Sequence, residues 1–276
     1  MNSSLPLDHT VALIRYLPNG NSLAKALDLC QGLQDVPKNT QILIKPNLVF
    51  WDDVIPFPPY GVLTTTRMVE ELLFCLKETG FQNITIGEGT LRDQRANAST
   101  QTAYHRLGYH RFIRRYGVKL VDFFDEPFLP VEEDGIKMGI VKTALESEFL
   151  ITMPVLKTHT QTKVSLGIKN LKGVLDVKTR RLFHSSEVDL DHCVAMLGRV
   201  LKPRINIIDG IYGLEYGPFP FGQAHRLNAL LVSRNPLAAD ISACYLIGID
   251  PEKVGHLREI AQWMKFPMGQ ENLNLS

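Results

Sequence analysis

The sequence predicts an α/β fold in which a mostly parallel sheet is flanked by helices. Strand-like and helix-like segments alternate along almost the whole chain. The run Phe149–Met153 is almost continuously apolar, which is typical of a strand buried on both faces. Several predicted strands end directly before a polar cluster, as strands do beside the ligand sites of open α/β sheets.

The predicted strands are short apolar segments bounded by turn-forming residues. They cover residues 11–17, 41–44, 83–86, 118–122, 136–141, 149–153, 205–208 and 228–232. Pro46 and Pro154 each stop a strand, because proline has no N–H to give to a ladder.

The predicted helices have apolar residues at helical spacing and recognisable ends. They cover residues 23–33, 68–79, 98–116, 190–201, 236–247 and 255–264. Ser22 is the expected N-cap of the first helix, Gly80 ends the second, and Gly108 breaks the third. Asn235, with proline after it, begins the fifth. The polar tail after the last helix is expected to fray.

Length and charge narrow the class of protein. The 276 residues favour two lobes, with a boundary somewhere between positions 92 and 148. The formal net charge of +1 argues against a nucleic-acid partner, and the interspersed charges argue against a membrane partner. Neither a signal peptide nor a run of apolar residues that could span a bilayer is visible.

The four cysteines lie far apart in the sequence, at Cys30, Cys75, Cys193 and Cys244. None belongs to a C-x-x-C pair, so neither an iron–sulfur motif nor a zinc ribbon is indicated. Cysteines within apolar helical patterns behave as small hydrophobic residues. The economical interpretation is a reduced, cytoplasmic protein.

Polar residues follow four of the predicted strands. They are Lys45 and Asn47, then Glu88 between two glycines, then Lys157 and His159, then Asp209 with Glu215 soon after it. A parallel sheet brings the carboxyl ends of its strands to one edge, so we expect these side chains to meet in one crevice. Taken singly, each is also explained as a solvated strand end or a turn residue.

The segment 154–173 is the strongest indication of a binding site. It contains Lys157, His159, Lys163, Lys169, Asn170 and Lys172. Lysines at positions 169 and 172 would share one face of a helix. Gly167 precedes them, as at a helix N-terminus whose free N–H groups could hold a phosphate or carboxylate. Neither the P-loop nor the Rossmann spacing is present. The segment therefore predicts a site for a small anionic molecule of another kind.

His159 and His184 are the candidate acid–base residues, because both lie in polar loops. Either could also bind a metal, but no H-x-x-H or H-E-x-x-H spacing supplies a local site, and we assign no metal ligand.

These motifs resemble those of the family named domain of unknown function 362. The resemblance is carried by residues 44–49, 87–89, 153–159, 167–173, 209–211 and 217–218, with His184, Glu215 and Asp240. It implies one family domain over 1–276, without a settled activity. Many relatives look like fusions with a ferredoxin-type module, whose cysteine motifs this chain lacks.

The layout is also distantly similar to that of the nickel-pincer lactate racemases. The common features are a strand that ends in an Asn loop, a Gly-x-Gly-Thr-like turn, and a Lys/Gly segment followed by His184. Those enzymes carry a histidine beside the turn, where this chain reads Glu88-Gly89-Thr90-Leu91. By analogy the similarity implies two α/β lobes around a cleft, and it leaves the cofactor unknown.

Two functions fit these observations. The first is an enzyme that acts on a small carboxylate or phosphorylated metabolite. Its substrate-binding residues would be Lys45, Asn47, Lys169, Asn170, Lys172, Asp209 and Glu215, and its catalytic residues Lys157, His159, His184 and Glu88. The second is a non-catalytic accessory protein that handles a metal, a cofactor or a redox partner. The segment 51–61, rich in proline and aromatic residues, could form a lid or a homodimer contact.

Overall fold

Strands and helices alternate along the chain, as the sequence predicts. The computed structural model describes residues 9–18, 20–51, 60–93, 97–216 and 222–275. The strands are β1 Thr10–Arg15, β2 Ile42–Pro46, β3 Ile84–Glu88, β4 Lys119–Asp122, β5 Phe128–Glu133, β6 Ile136–Val141, β7 Phe149–Met153, β8 Val155–His159, β9 Lys163–Ser165, β10 Ile205–Glu215, β11 Gln223–Ser233 and β12 Asn274–Leu275. The helices are α1 Ser22–Leu29, α2 Thr66–Glu78, α3 Thr100–Arg106, α4 His110–Tyr116, α5 Lys142–Leu145, α6 Gly167–Asn170, α7 Val177–Phe183, α8 Leu190–Leu201, α9 Pro236–Leu246 and α10 Gly255–Met264.

Ten of these strands form one sheet in the order β12-β1-β11-β10-β7-β2-β3-β4, to which β8 and β9 are added beside β10. Neighbours from β10 through β7, β2 and β3 to β4 are parallel, whereas β11 is antiparallel to both β1 and β10. The predicted fold class, a mostly parallel sheet flanked by helices, is therefore confirmed.

The central strands are buried on both faces. Every residue of β2 and of β7 is buried. Ile42 and Ile44 belong to one hydrophobic core and Leu43 to another, because successive side chains of a strand point to opposite faces. Helices cover both faces, so the carboxyl ends of the strands are the edge at which polar side chains can collect.

Several predicted boundaries are confirmed because a local signal sets them. The strand Phe149–Met153 and the helices α8 and α10 begin and end at the predicted residues. Gly108 has a φ of 72° and separates α3 from α4. Asn235 caps α9 by accepting hydrogen bonds from the N–H groups of Leu237 and Ala238.

Other boundaries are wrong because pairing between distant segments decides them. Strand β10 does not stop at Ile208 but continues to Glu215, since it pairs with β11 along a long hairpin. After Pro154 the chain becomes a strand again, β8, which pairs with β10 and β9. Strand β5, which pairs with β6, was not predicted.

The two ends of the described chain also differ from expectation. Asn21, with a φ of 52°, is the N-cap of α1, and Ser22 is its first residue, whose hydroxyl accepts a hydrogen bond from the N–H of Leu17. The C-terminal strand β12 does not fray but pairs in parallel with β1.

Three predictions remain untested. Residues 52–59 of the predicted lid or dimer segment lie outside the described residues, as do Gly217 and Pro218 of the family motif. The division into two lobes stays a prediction.

In the described part of the chain, no helix has the length and apolar character needed to cross a membrane. No disulfide joins the four cysteines.

Candidate functional site

A cavity of about 360 Å³ lies beyond the carboxyl ends of β2 and β3 and beside β8. Nine of the eleven predicted site residues line it. They are Lys45, Asn47, Glu88, Lys157, His159, Lys169, Asn170, Lys172 and His184. The parallel register of the strands brings these side chains together from separate parts of the sequence.

An ion pair between Lys45 and Glu88 forms the most deeply buried part of this cavity. Lys45 Nζ lies 2.9 Å from both carboxylate oxygens, and the two side chains are 1% and 2% exposed. The carboxylate also accepts hydrogen bonds from the N–H groups of Leu48 and Gly89. Burial lowers the pKa of Lys45, and the charge of Glu88 opposes that shift. Both charges are therefore compensated within the protein.

Two asparagines extend this pair into a network. Asn170 Oδ1 accepts a hydrogen bond of 3.0 Å from Asn47 Nδ2, and Asn170 Nδ2 donates to the carbonyl of Lys45 and to Thr152 Oγ1. Asn47 Oδ1 accepts a bond of 2.7 Å from Lys157 Nζ. We define the floor of the cavity as Lys45, Glu88, Asn47 and Asn170.

Glycine is required at position 173 for the floor to form. A Cβ atom added there would overlap both Glu88 Oε1 and Lys45 Nζ. The Gly167–Gly173 motif therefore lets the backbone come close to a buried ion pair. A turn by itself would not require such a close approach.

The other three lysines of the cavity have no carboxylate partner among the described residues. We define the wall lysines as Lys157, Lys169 and Lys172. Burial and the charge of Lys45 lower the pKa of Lys157 to about 7. Burial and the charge of Arg180 lower the pKa of Lys172 to about 8. Burial, with the charges of the two other wall lysines, holds the pKa of Lys169 well below its usual range.

The two predicted acid–base histidines are neutral at physiological pH. Burial and the nearby lysines lower the pKa of His159 to about 3 and that of His184 to about 4. His159 Nδ1 accepts a hydrogen bond from the N–H of Gln161, so its Nε2 carries the ring proton. His184 Nε2 lies 2.6 Å from Lys172 Nζ, which is its donor.

Arg180 also lines the cavity, but no sequence pattern distinguishes it as a site residue. Its guanidinium donates to the carbonyls of Gly89, Gly173 and Leu175 at 2.6–2.8 Å. Burial lowers its pKa to about 10. In the sequence it precedes Arg181, and such a pair is typical of a solvated helix face. Its position at the cavity depends in part on the carbonyl of Gly89, which comes from a distant part of the chain.

The structure does not bring Asp209 and Glu215 to this cavity, so the prediction of one crevice is wrong for both. The Asp209 carboxylate accepts hydrogen bonds from the N–H groups of Thr65 and Ile211, and it stabilises the start of α2. Glu215 lies at the far end of β10, 3.3 Å from His225 Nε2, and lines a separate cavity.

The predicted anion position at the N-terminus of α6 is also wrong, because the chain's own Asp240 fills it. The two carboxylate oxygens accept from the N–H groups of Gly167 and Ile168 at 2.8 and 2.9 Å. Asn206 Nδ2 donates to the same carboxylate at 2.7 Å. Burial raises the pKa of Asp240 to about 7. Asp240 thus fixes the helix that carries Lys169 and Asn170.

The lining of the cavity carries more basic side chains than carboxylates. Its described lining has five basic side chains, Lys45, Lys157, Lys169, Lys172 and Arg180, and one carboxylate, Glu88. Nowhere in the described ranges do three or more His, Cys, Asp or Glu side chains group in a way that could hold a metal ion. The glycine turn offers Glu88, already ion-paired, where the nickel-pincer enzymes have histidine, so these residues do not fit that cofactor.

A family model for domain of unknown function DUF362 matches residues 42–245. The chain belongs to the DUF362 family. This membership confirms the resemblance carried by the sequence motifs. The matched range includes every residue that lines the cavity.

This DUF362 protein is similar in sequence to a cyanobacterial protein and in fold to a solved structure. The thylakoid-associated protein sll1697 of Synechocystis sp. is 23% identical over 238 residues, which are 84% of this chain and 71% of that protein. The lactate racemase apoprotein from Thermoanaerobacterium thermosaccharolyticum aligns with a TM-score of 0.52 and 14% identity. That alignment covers 86% of this chain but only 56% of the racemase. The likeness shows a common fold and nothing finer.

Proposed function

We propose that this protein is an enzyme that binds a small carboxylate or phosphorylated metabolite in the cavity. One observation carries the proposal, namely the excess of basic side chains over carboxylates. Of the five basic groups that line the cavity, Lys45 alone forms an ion pair with a carboxylate there. An anionic ligand would supply the missing counter-charge.

The energetics favour such a ligand. A buried cation without a counter-ion destabilises a protein, whereas a hydrogen bond between charged groups contributes about 1.5–3 kcal/mol. Lys172 donates one of its protons to His184 and has others free. Bound to an anion, Lys157 and Lys172 would regain the protons that burial disfavours. Ligand binding should therefore be coupled to proton uptake.

The dimensions favour a small molecule. A volume of about 360 Å³ is near the lower end of the range for ligand pockets, roughly 300–1,000 Å³. Val49 and Leu91 supply an apolar part of the lining. A short metabolite with one anionic group fits this description better than a dinucleotide does.

The catalytic part of the proposal rests on the neutral groups beside the cations. Lys157, with a pKa of about 7, can donate or accept a proton. His159 Nδ1 and His184 Nε2 already accept hydrogen bonds, and their low pKa values make both rings weak bases, so these histidines would orient the ligand. Glu88 acts as a positioning residue, because its oxygens are engaged by Lys45 and by backbone N–H groups. A cytoplasmic location and a homodimer stay predictions from the sequence.

The experiment is a thermal-unfolding panel of small phosphates and carboxylates with the wild type, Lys172→Met and Lys178→Met. Lys178 is the matched control, since it is an exposed lysine of α7 that does not line the cavity. We expect at least one anion to raise the Tm of the wild type and of Lys178→Met, and to raise that of Lys172→Met much less. If no anion produces this difference, the proposal fails.

The accessory function has a different signature. A metal or a chromophore in freshly purified protein, together with no response to anions, would favour it. Elemental analysis and an absorption spectrum of the same sample distinguish the two functions.

A further inference from the structure

One of the four lysines in the cavity differs from the others in its contacts. Lys45 is paired with Glu88, Lys157 Nζ donates to Asn47 at 2.7 Å, and Lys172 Nζ lies 2.6 Å from His184. Lys169 is only 7% exposed. Among the described residues its amine has neither a hydrogen bond nor an ion pair, although it lines the same cavity.

The backbone that carries Lys169 is firmly held. Asp240 accepts hydrogen bonds from the first two N–H groups of α6, at 2.8 and 2.9 Å. The next residue, Asn170, is fixed by its hydrogen bonds to Lys45 and Thr152. The short helix is thus anchored at both ends, and the free amine between these anchors is held at the cavity.

The electrostatic surroundings favour the neutral form of this amine. Burial lowers the pKa of Lys169, the nearby charges of Lys172 and Lys157 lower it further, and the charge of Asp191 opposes the shift to a smaller extent. A desolvated lysine beside other cations is the usual form of an amine nucleophile, because it retains its lone pair at neutral pH. The neighbouring cations can hold an anionic group while the amine reacts.

We propose that Lys169 forms an imine with the carbonyl carbon of a small oxo acid whose carboxylate is bound by the neighbouring basic side chains. This inference rests on the proposed function, since the anion site must hold the carboxylate. It adds a nucleophile and a substrate class, carbonyl compounds, to that function.

The step is balanced without an oxidant or a reductant. The lone pair of Lys169 Nζ attacks the carbonyl carbon, a C–N bond forms, and a proton moves from nitrogen to the former carbonyl oxygen. The C–O bond then breaks, water leaves, and nitrogen gives up its second proton to form the C=N bond. Lys172, with a pKa of about 8, can protonate the departing oxygen. The neutral Lys172 amine that this step leaves can then take the second proton from nitrogen, so the lysine ends in its starting form.

Lys157 is the alternative nucleophile. Its amine donates to Asn47 Oδ1 and to the carbonyl of Val62, at 2.7 and 3.1 Å. Oxygen acceptors stabilise the ammonium form, so these contacts favour Lys157 as a cation and leave Lys169 as the nucleophile. Mapping of the modified lysine tests this choice.

The experiment is borohydride trapping on the full chain with pyruvate, glyoxylate and oxaloacetate, followed by intact-mass measurement and peptide mapping. Borohydride reduces an imine to a stable secondary amine. We expect one adduct per chain with at least one of these acids, located at Lys169, in the wild type and in Lys178→Met. Lys169→Arg keeps a long basic side chain but has no primary amine and cannot form the imine, so it should lose the adduct completely. No adduct with any of the three acids, or an adduct at another lysine, overturns the proposal.

A parallel measurement separates this proposal from the anion site. The same acids, and the matched acids propionate, acetate and succinate, are added without borohydride, and the Tm is recorded. Stabilisation without an adduct overturns the imine and leaves the anion site standing. If the acids neither raise the Tm nor form an adduct, both the imine and the anion site are ruled out. Lys169→Arg should still be stabilised by the acids, which shows that it remains folded and able to bind.

Discussion

Lysine amines occupy two different environments in the cavity, one in the floor and the other among the wall lysines. In the floor, the charge of Lys45 is balanced by Glu88. No carboxylate of the described residues forms an ion pair with a wall lysine, and the pKa values are lowered to about 7 for Lys157 and about 8 for Lys172. A compensated buried charge supports the fold, whereas an uncompensated one is available to a ligand.

The largest effect is expected from breaking the floor. Glu88→Gln would leave Lys45 buried without its counter-ion, and removing one partner of a buried pair costs about 3–5 kcal/mol of stability. Urea unfolding of the variant should show a loss of this size. The double variant with Lys45→Met should recover part of it. A Glu88→Gln protein as stable as the wild type would show that the pair does not support the fold.

A loss of similar size is expected from Asp240→Ala. The N–H groups of Gly167 and Ile168 and the amide of Asn206 would lose their acceptor, and an unsatisfied buried donor costs about 1–3 kcal/mol. The measurement is again urea unfolding, and an unchanged midpoint would contradict the anchoring role of Asp240.

The Asp240 carboxyl also makes the stability of the protein depend on pH, and the direction of this dependence can be predicted. The folded protein keeps the Asp240 proton up to a pKa of about 7, whereas the unfolded chain releases it near the usual value of 3.8. Its contribution to stability therefore falls as the pH rises across that interval. Asp240→Asn should remove this part of the dependence. If the wild type and Asp240→Asn follow the same curve, Asp240 does not titrate in this way.

The smallest effect on stability is expected from replacing one of the wall lysines. Lys169→Met replaces an amine that has no hydrogen bond among the described residues with an apolar side chain of similar length. Such a change should alter the free energy of unfolding by less than about 1.5 kcal/mol, in either direction. A loss as large as that of Glu88→Gln would show that Lys169 belongs to the scaffold, and the contrast between floor and wall would disappear.

The sequence predicts the parts of the fold that local signals determine. The apolar run of β7, the caps of α9 and the glycine between α3 and α4 could all be located in advance. Strand β8 could not, because its extended conformation after Pro154 depends on pairing with β9 and with the distant β10. The same holds for the length of β10, which its hairpin with β11 determines.

The site could be predicted to a similar extent and for the same reason. Polar residues after parallel strands must meet at one edge, so Lys45, Glu88 and Lys157 could be grouped from the sequence. That grouping could not separate ligand-facing groups from groups that satisfy the backbone. The Asp209 carboxylate accepts a hydrogen bond from the N–H of Thr65, and the Arg180 guanidinium donates hydrogen bonds to the carbonyls of Gly89 and Gly173. Both roles arise only when distant segments pack together.

The most direct test of the central claim is calorimetric titration of phosphate and pyruvate into the wild type, between about pH 7 and pH 9, in two buffers that differ in ionisation enthalpy. If uncompensated wall lysines bind the anion, protons are taken up on binding. The affinity should then weaken about tenfold per pH unit between the pKa values of Lys157 and Lys172, and more steeply above both. An affinity that is the same across this range, with no proton uptake in either buffer, would contradict the account.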